Sequence, residues 1–224
     1  FAPPVFQEIR VEVDDLLRWV QQTRQQGAAQ FPHHILLSMQ AFATAKPIEA
    51  AKLCALWLQS PLDEATGNVL SRTIHWIRMA ADAANHAARG ALDNLEQSLA
   101  ASDEPGHKAL LLESWAFSAA SPLLTEAKAC QLRDQLVTDQ PDEARAWAYM
   151  LSQIVTWAPE NWSWAHRELV KLVGSDNPVT LRYWIALAAM DGWSKAAAGS
   201  LVGREEWEDL FCSLAPLQKD EGGI

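Results

Sequence analysis

Four side chains able to bind a metal, His75, Met79, Asp82 and His86, recur at i, i+4, i+7 and i+11. On a single helix that spacing puts all four on one face. Two imidazoles and a carboxylate suit zinc or iron, yet His75 and His86 would lie about 16 Å apart along the axis at about 1.5 Å per residue. One ion cannot bridge that span. Arg72 and Arg89 extend the stripe opposite Leu70, Ile74, Ile77 and Ala81, so the pattern reads as a solvated face of a long helix after Asn68. No metal and no cofactor is expected. Arg72, His75 and Trp76 are instead candidates for contact with a partner.

Other residue types capable of chemistry have equally plain structural readings. Asp139 with Arg145 and Asp176 with Arg182 are acid and guanidinium pairs of the kind found in active sites, but the same pair recurs at the same spacing. A catalytic site occurs once, whereas a stacking contact repeats. The two pairs are therefore read as a structural ladder, and no catalytic residue is assigned. Trp162 and Trp164 stand two residues apart and point about 200° from one another on a helix, so both cannot face one core. At least one is expected at the surface, as an aromatic anchor for a partner. Glu205-Glu206-Trp207-Glu208-Asp209 reads as a polar cap on a terminal helix or as a docking surface for a basic partner. Cys54, Cys130 and Cys212 are far apart, each within an apolar helical pattern, and are expected to be buried thiols. No Gly-rich phosphate loop, Cys-x-x-Cys, His-Glu-x-x-His or Gly-x-Ser-x-Gly string occurs.

The elements that must position these residues are helices. Strand alternation and Asn-Gly or Asp-Gly turns are missing, while Ile9, Val13, Leu16, Leu17 and Val20 recur at helical spacing and the Ala-rich stretch 79–88 favours helix. Helix starts are expected near Pro47, Pro61, Pro105, Pro122, Pro141 and Pro178, where a missing N–H costs nothing. Stops are expected at Gly27, Gly90, Gly174 and Gly192. Short connections make consecutive helices antiparallel hairpins.

The hairpins repeat. Asp139, Pro141, Arg145 and Trp147 are matched, each 37 residues later, by Asp176, Pro178, Arg182 and Trp184. Asp103 and Pro105 lie 36 residues before Asp139 and Pro141, although Ala109 and Leu111 replace the Arg and Trp. The string Asp-x-Pro-x-x-x-Arg resembles the HEAT-type helical repeats, and tetratricopeptide repeats are the rival with a shorter usual period. The HEAT resemblance implies an all-α fold, a right-handed α-solenoid of antiparallel hairpins of about 37 residues. It also implies that Asp139, Arg145, Asp176 and Arg182 form a hydrogen-bonded ladder between units. On this reading residues 1–28 form an N-terminal capping helix, 29–215 the repeat domain and 216–224 a disordered tail.

Composition limits the functions open to such a fold. Eighteen Lys plus Arg stand against 28 Asp plus Glu, for a formal charge of −10, with an acid surplus in each half of the chain. A phosphate-backbone binder needs the opposite balance, so nucleic acid is not an expected partner. No apolar run is long enough for a membrane span and no signal peptide is apparent, which gives a cytoplasmic expectation. The expected function is a non-enzymatic protein-protein interaction module, a sensor or scaffold part of a larger protein, whose concave face takes another protein or peptide, with a basic partner favoured by the acid surplus. The exposed sides of 69–89 and of the helices after Pro141 and Pro178 are its candidate surfaces. The alternative is a HEAT-like enzyme such as an alkylated-base DNA glycosylase, an activity the acidic balance opposes.

Overall fold

A computed structural model describes residues 35–59, 62, 64–82, 86–137, 140–158, 162–174, 178–197 and 203–214. Among them are ten α-helices and no strand: α1 (Ile35–Ala45), α2 (Pro47–Trp57), α3 (Glu64–Asp82), α4 (His86–Ala100), α5 (His107–Ala116), α6 (Glu126–Leu136), α7 (Pro141–Trp157), α8 (Trp162–Leu172), α9 (Val179–Ala197) and α10 (Arg204–Leu214). The all-α expectation holds for the described residues. The expected capping helix at 1–28 and tail at 216–224 lie outside them.

Local chemistry sets several of the boundaries. Pro47 and Pro141 each occupy the first turn of a helix, with Glu49, or Asp142 and Glu143, placed to favour the helix dipole. Pro178 immediately precedes α9. Pro122 does not start a helix. Three residues later Thr125 is the N-cap of α6, its hydroxyl accepting from the Lys128 N–H at 3.2 Å. Gly106 and Gly203 precede α5 and α10 with φ of 83° and 96°, a region that a Cβ would strain.

Two expected stops are not stops. Gly90 lies inside α4 and Gly192 inside α9, while the Ala-rich stretch that looked continuous contains the end of α3 and the start of α4. Gly192 serves packing: a Cβ there would run into the Trp207 indole of α10. Gly90 faces open space.

The chain divides into two compact units, 1–114 and 115–224. In the first, α1 packs on α2 and α3, α2 on α3 and α4, and α3 on α4. Met39, Leu53 and Val69 form a buried cluster there, with Phe42, Trp57 and Trp76 packed against it. In the second unit α7 packs on α8 and α9, and α9 packs on α8 and α10. Trp147 and Trp164 meet edge to face at 6.0 Å within its core, and Leu181, Ile185 and Ala188 of α9 are buried. Each principal packing joins helices one or two places apart in the chain, because each hairpin leaves an apolar face that its neighbour must cover.

The glycines provide a test of these packings. Gly192→Ala is expected to destabilise the protein by about 1–3 kcal/mol through overpacking against Trp207. Gly90→Ala should stabilise it by about 0.5–1 kcal/mol by removing a flexible residue from an exposed helix interior. Urea denaturation of both variants measures the two signs.

Candidate functional site

The most deeply buried charge in the described residues is Arg78, 1% exposed on α3. Its Nη2 donates to Glu96 Oε1 of α4 at 2.6 Å, and Nε donates to the same oxygen at 3.2 Å. Its Nη1 donates to the Ser114 carbonyl at 2.9 Å, and Nη2 also reaches Ser114 Oγ at 3.1 Å. A planar guanidinium can satisfy three acceptors at once, so the buried charge is neutralised and its donors bonded. The arrangement clamps α3, α4 and α5 of the first unit. In the second unit the buried charge is an acid. Arg133 Nη1 of α6 donates to Glu168 Oε2 of α8 at 2.8 Å, and Lys171 binds the other Glu168 oxygen at 2.5 Å. Thr156 Oγ1 of α7 donates to Asp191 Oδ2 of α9 at 2.8 Å. Lys195 donates to the Val155 and Thr156 carbonyls at 3.0 and 2.6 Å, satisfying acceptors at the C-terminal end of α7.

These contacts have a register. Arg78–Ser114, Arg133–Glu168 and Thr156–Asp191 join residues 36, 35 and 35 apart, and Lys195–Val155 and His166–Glu206 join residues 40 apart. Arg78–Glu96, 18 apart, links adjacent helices. None of these pairs stands out in a search for motifs. A polar residue next to the apolar positions of a helix, matched by a complementary one about a repeat away, would have been the signal.

The expected ladder falls partly outside the described residues, which include Arg145 and Arg182 but neither Asp139 nor Asp176. Arg145 Nε lies 3.8 Å from Asp142 Oδ1 in the first turn of its own helix, and Arg182 is half-buried. The histidine stripe does not share one helix: His75 and Met79 are on α3, whereas His86 opens α4. The side chain of Asp82 lies outside the described residues. Among the described residues no group of three or more His, Cys, Asp and Glu is placed to hold a metal ion. His75 is also less solvated than expected, because α3 is packed by α1, α2 and α4. Desolvation, with the Arg78 charge as a second cause, lowers its pKa from the usual 6.5 to about 4.

Arg72 and Trp76 are half-buried, Trp76 against the Met39 cluster. Of the tryptophan pair, Trp164 is buried, and the side chain of Trp162 lies outside the described residues. Trp157, at the end of α7, is the most exposed indole among the described residues at 63%, and Trp193 of α9 is exposed as well. Of the three cysteines expected to be buried, Cys54 is, with its thiol pushed up to about 12 by desolvation, whereas Cys130 is half-buried and Cys212 exposed. Cys212 faces outward because the core face of α10 is Trp207, Leu210 and Leu214.

The exposed side of the helix after Pro178, a candidate surface in the sequence, is the face of α9 opposite its buried one, although its residues were not singled out there. Val179, Tyr183, Leu187, Met190 and Trp193 are all exposed there, at intervals of four, four, three and three residues. Such a helix is apolar on both sides, and that double pattern was the available signal. No protein-family model, curated protein or solved structure matches the chain. Among the described residues no helix is long and apolar enough to cross a membrane.

Arg78→Met is expected to cost about 3–5 kcal/mol by leaving Glu96 and the Ser114 carbonyl without the guanidinium. Arg78→Met combined with Glu96→Leu should recover much of that loss, as a thermal-melting double-mutant cycle would show. Acidification acts separately through His75. A neutral imidazole in the fold with a depressed pKa contributes stability above pH 6.5, and that stability is lost progressively as pH falls from about 6.5 toward 4. The urea midpoint should fall across that window and fall less in His75→Gln.

Proposed function

We propose that this protein is a non-enzymatic interaction module, a right-handed α-solenoid of HEAT-like hairpins that holds another protein against exposed helices. The observation that carries this reading is the distribution of large exposed apolar side chains among the described residues. Nine of the ten, including Trp157, Tyr183, Leu187 and Met190, belong to the unit 115–224; Met79 is the other. Five of the nine, Val179, Tyr183, Leu187, Met190 and Trp193, recur on one side of α9, and an exposed apolar strip of this kind marks an interaction site. The repeat assignment is supported by polar contacts joining residues 35 to 41 apart, close to the 37-residue period of the sequence.

The acid surplus favours a basic protein partner and a cytoplasmic setting is proposed with it, while the same charge disfavours the glycosylase alternative. Cross-linking in a native extract, read by mass spectrometry, should join a partner to Lys128, Lys171 or Lys195 in the second unit in preference to Lys46, Lys52 or Lys108 in the first. In parallel, the purified chain should neither retard alkylated duplex DNA in a gel nor release its modified bases. Tight binding with base release would replace the interaction module by the glycosylase.

A further inference from the structure

The open face of α9 is a packing face by the register of the repeat. Thirty-seven residues before Tyr183 and Leu187 stand Ala146 and Met150 of α7, both fully buried. The same displacement takes Trp193 to Thr156, which is bonded to α9 through Asp191. Positions covered on α7 are thus uncovered on α9. Met190 is 56% and Tyr183 57% exposed, and the 19-residue helix offers about 28 Å of length.

The neighbouring helix supplies the charge. Arg204 of α10 stands over the Trp193 ring at 5.3 Å, and Glu208 and Phe211 follow it at i+4 and i+7, on the same side of α10. Phe211 is exposed, as are Glu205, Glu206, Glu208 and Asp209. Arg204 is the lone basic residue of α10 and is engaged with Trp193. An uncharged apolar strip therefore lies beside an acidic helix. A second copy packing on this face through a two-fold axis would bring two acidic α10 helices together, each on a chain of charge −10.

We infer that the face formed by α9 and the adjoining side of α10 is a docking site for an amphipathic basic helix of a partner protein. The apolar side of that helix covers Tyr183, Leu187 and Met190, and its Lys and Arg residues meet Glu205 and Glu208. This rests on the interaction-module reading and gives it a location and a partner chemistry.

Two fluorescein-labelled 18-residue peptides test it on the full chain by anisotropy at low salt. Both carry Leu at i, i+3, i+4, i+7 and i+11, with Lys at the polar positions of one and Glu at those of the other. The Lys peptide should bind on the order of tenfold or more tighter than the Glu peptide. Leu187→Glu and Tyr183→Glu, each checked for unchanged circular dichroism and melting, should abolish that binding even though each adds a favourable charge for non-specific attraction. Glu205→Gln with Glu208→Gln should weaken it while leaving the apolar strip intact. Equal binding of both peptides would overturn the basic-helix assignment but leave the interaction module standing. Lys-peptide binding that survives Leu187→Glu would place the site elsewhere and overturn the proposal, as would binding of neither peptide. Self-association in sedimentation velocity that Leu187→Glu abolishes would make a second copy the occupant. Failure of the broader reading shows separately, as base release from alkylated DNA.

Discussion

A helix of 11 to 19 residues with an apolar face is not stable alone in water, and covering that face with the next helix is the constraint on which this structure depends. In both units the covering helix is a near neighbour in the chain. Short connections make that local solution available with little loop-closure entropy. The apolar contacts bring helices together without fixing how far each slides along the next. Directional contacts such as Thr156 to Asp191 and Lys195 to the end of α7 provide that register.

Arg78 shows the conditions under which a charge enters such a core. Its guanidinium is buried where α3, α4 and α5 meet, and it is tolerated because Glu96 and both Ser114 oxygens accept from it. Glu168 is the counterpart in the second unit. Burial opposes its ionised form, but Lys171 and Arg133 outweigh that effect and hold its carboxyl below the ordinary range. Both groups are structural in the same sense: each is neutralised by protein partners, Glu96 and Ser114 for Arg78, and Arg133 with Lys171 of its own helix for Glu168. The surface chemistry lies elsewhere, on the apolar strip of α9 and the acids of α10.

Glycine was the least legible residue type. Gly90 and Gly192 look alike in sequence, each a break in a helical pattern, yet both continue their helices. Gly192 is explained by the Trp207 indole lying against it, a contact made by a residue 15 positions away. At Gly90 no side chain approaches, and the helix tolerates it at a modest propensity cost. The histidine stripe was misjudged in a related way. Helical spacing was correct from His75 to Met79, but the pattern crossed a boundary between two helices that the Ala-rich composition concealed.

The sequence by itself determined the helical class, because 3.6-residue periodicity and proline positions are local properties of the chain. It also showed the 37-residue recurrence, whose Pro141 opens α7 and whose Pro178 immediately precedes α9. Burial was not determined locally. Trp164 and Trp157 are both apolar residues of helical segments, and only the packing of Trp164 against Trp147 put one inside and left the other in solvent. The apolar residues of α9 divide in the same way. Leu181 and Ile185 are covered while Tyr183 and Leu187 are not, because a helix has two sides and the tertiary structure supplies neighbours to one of them.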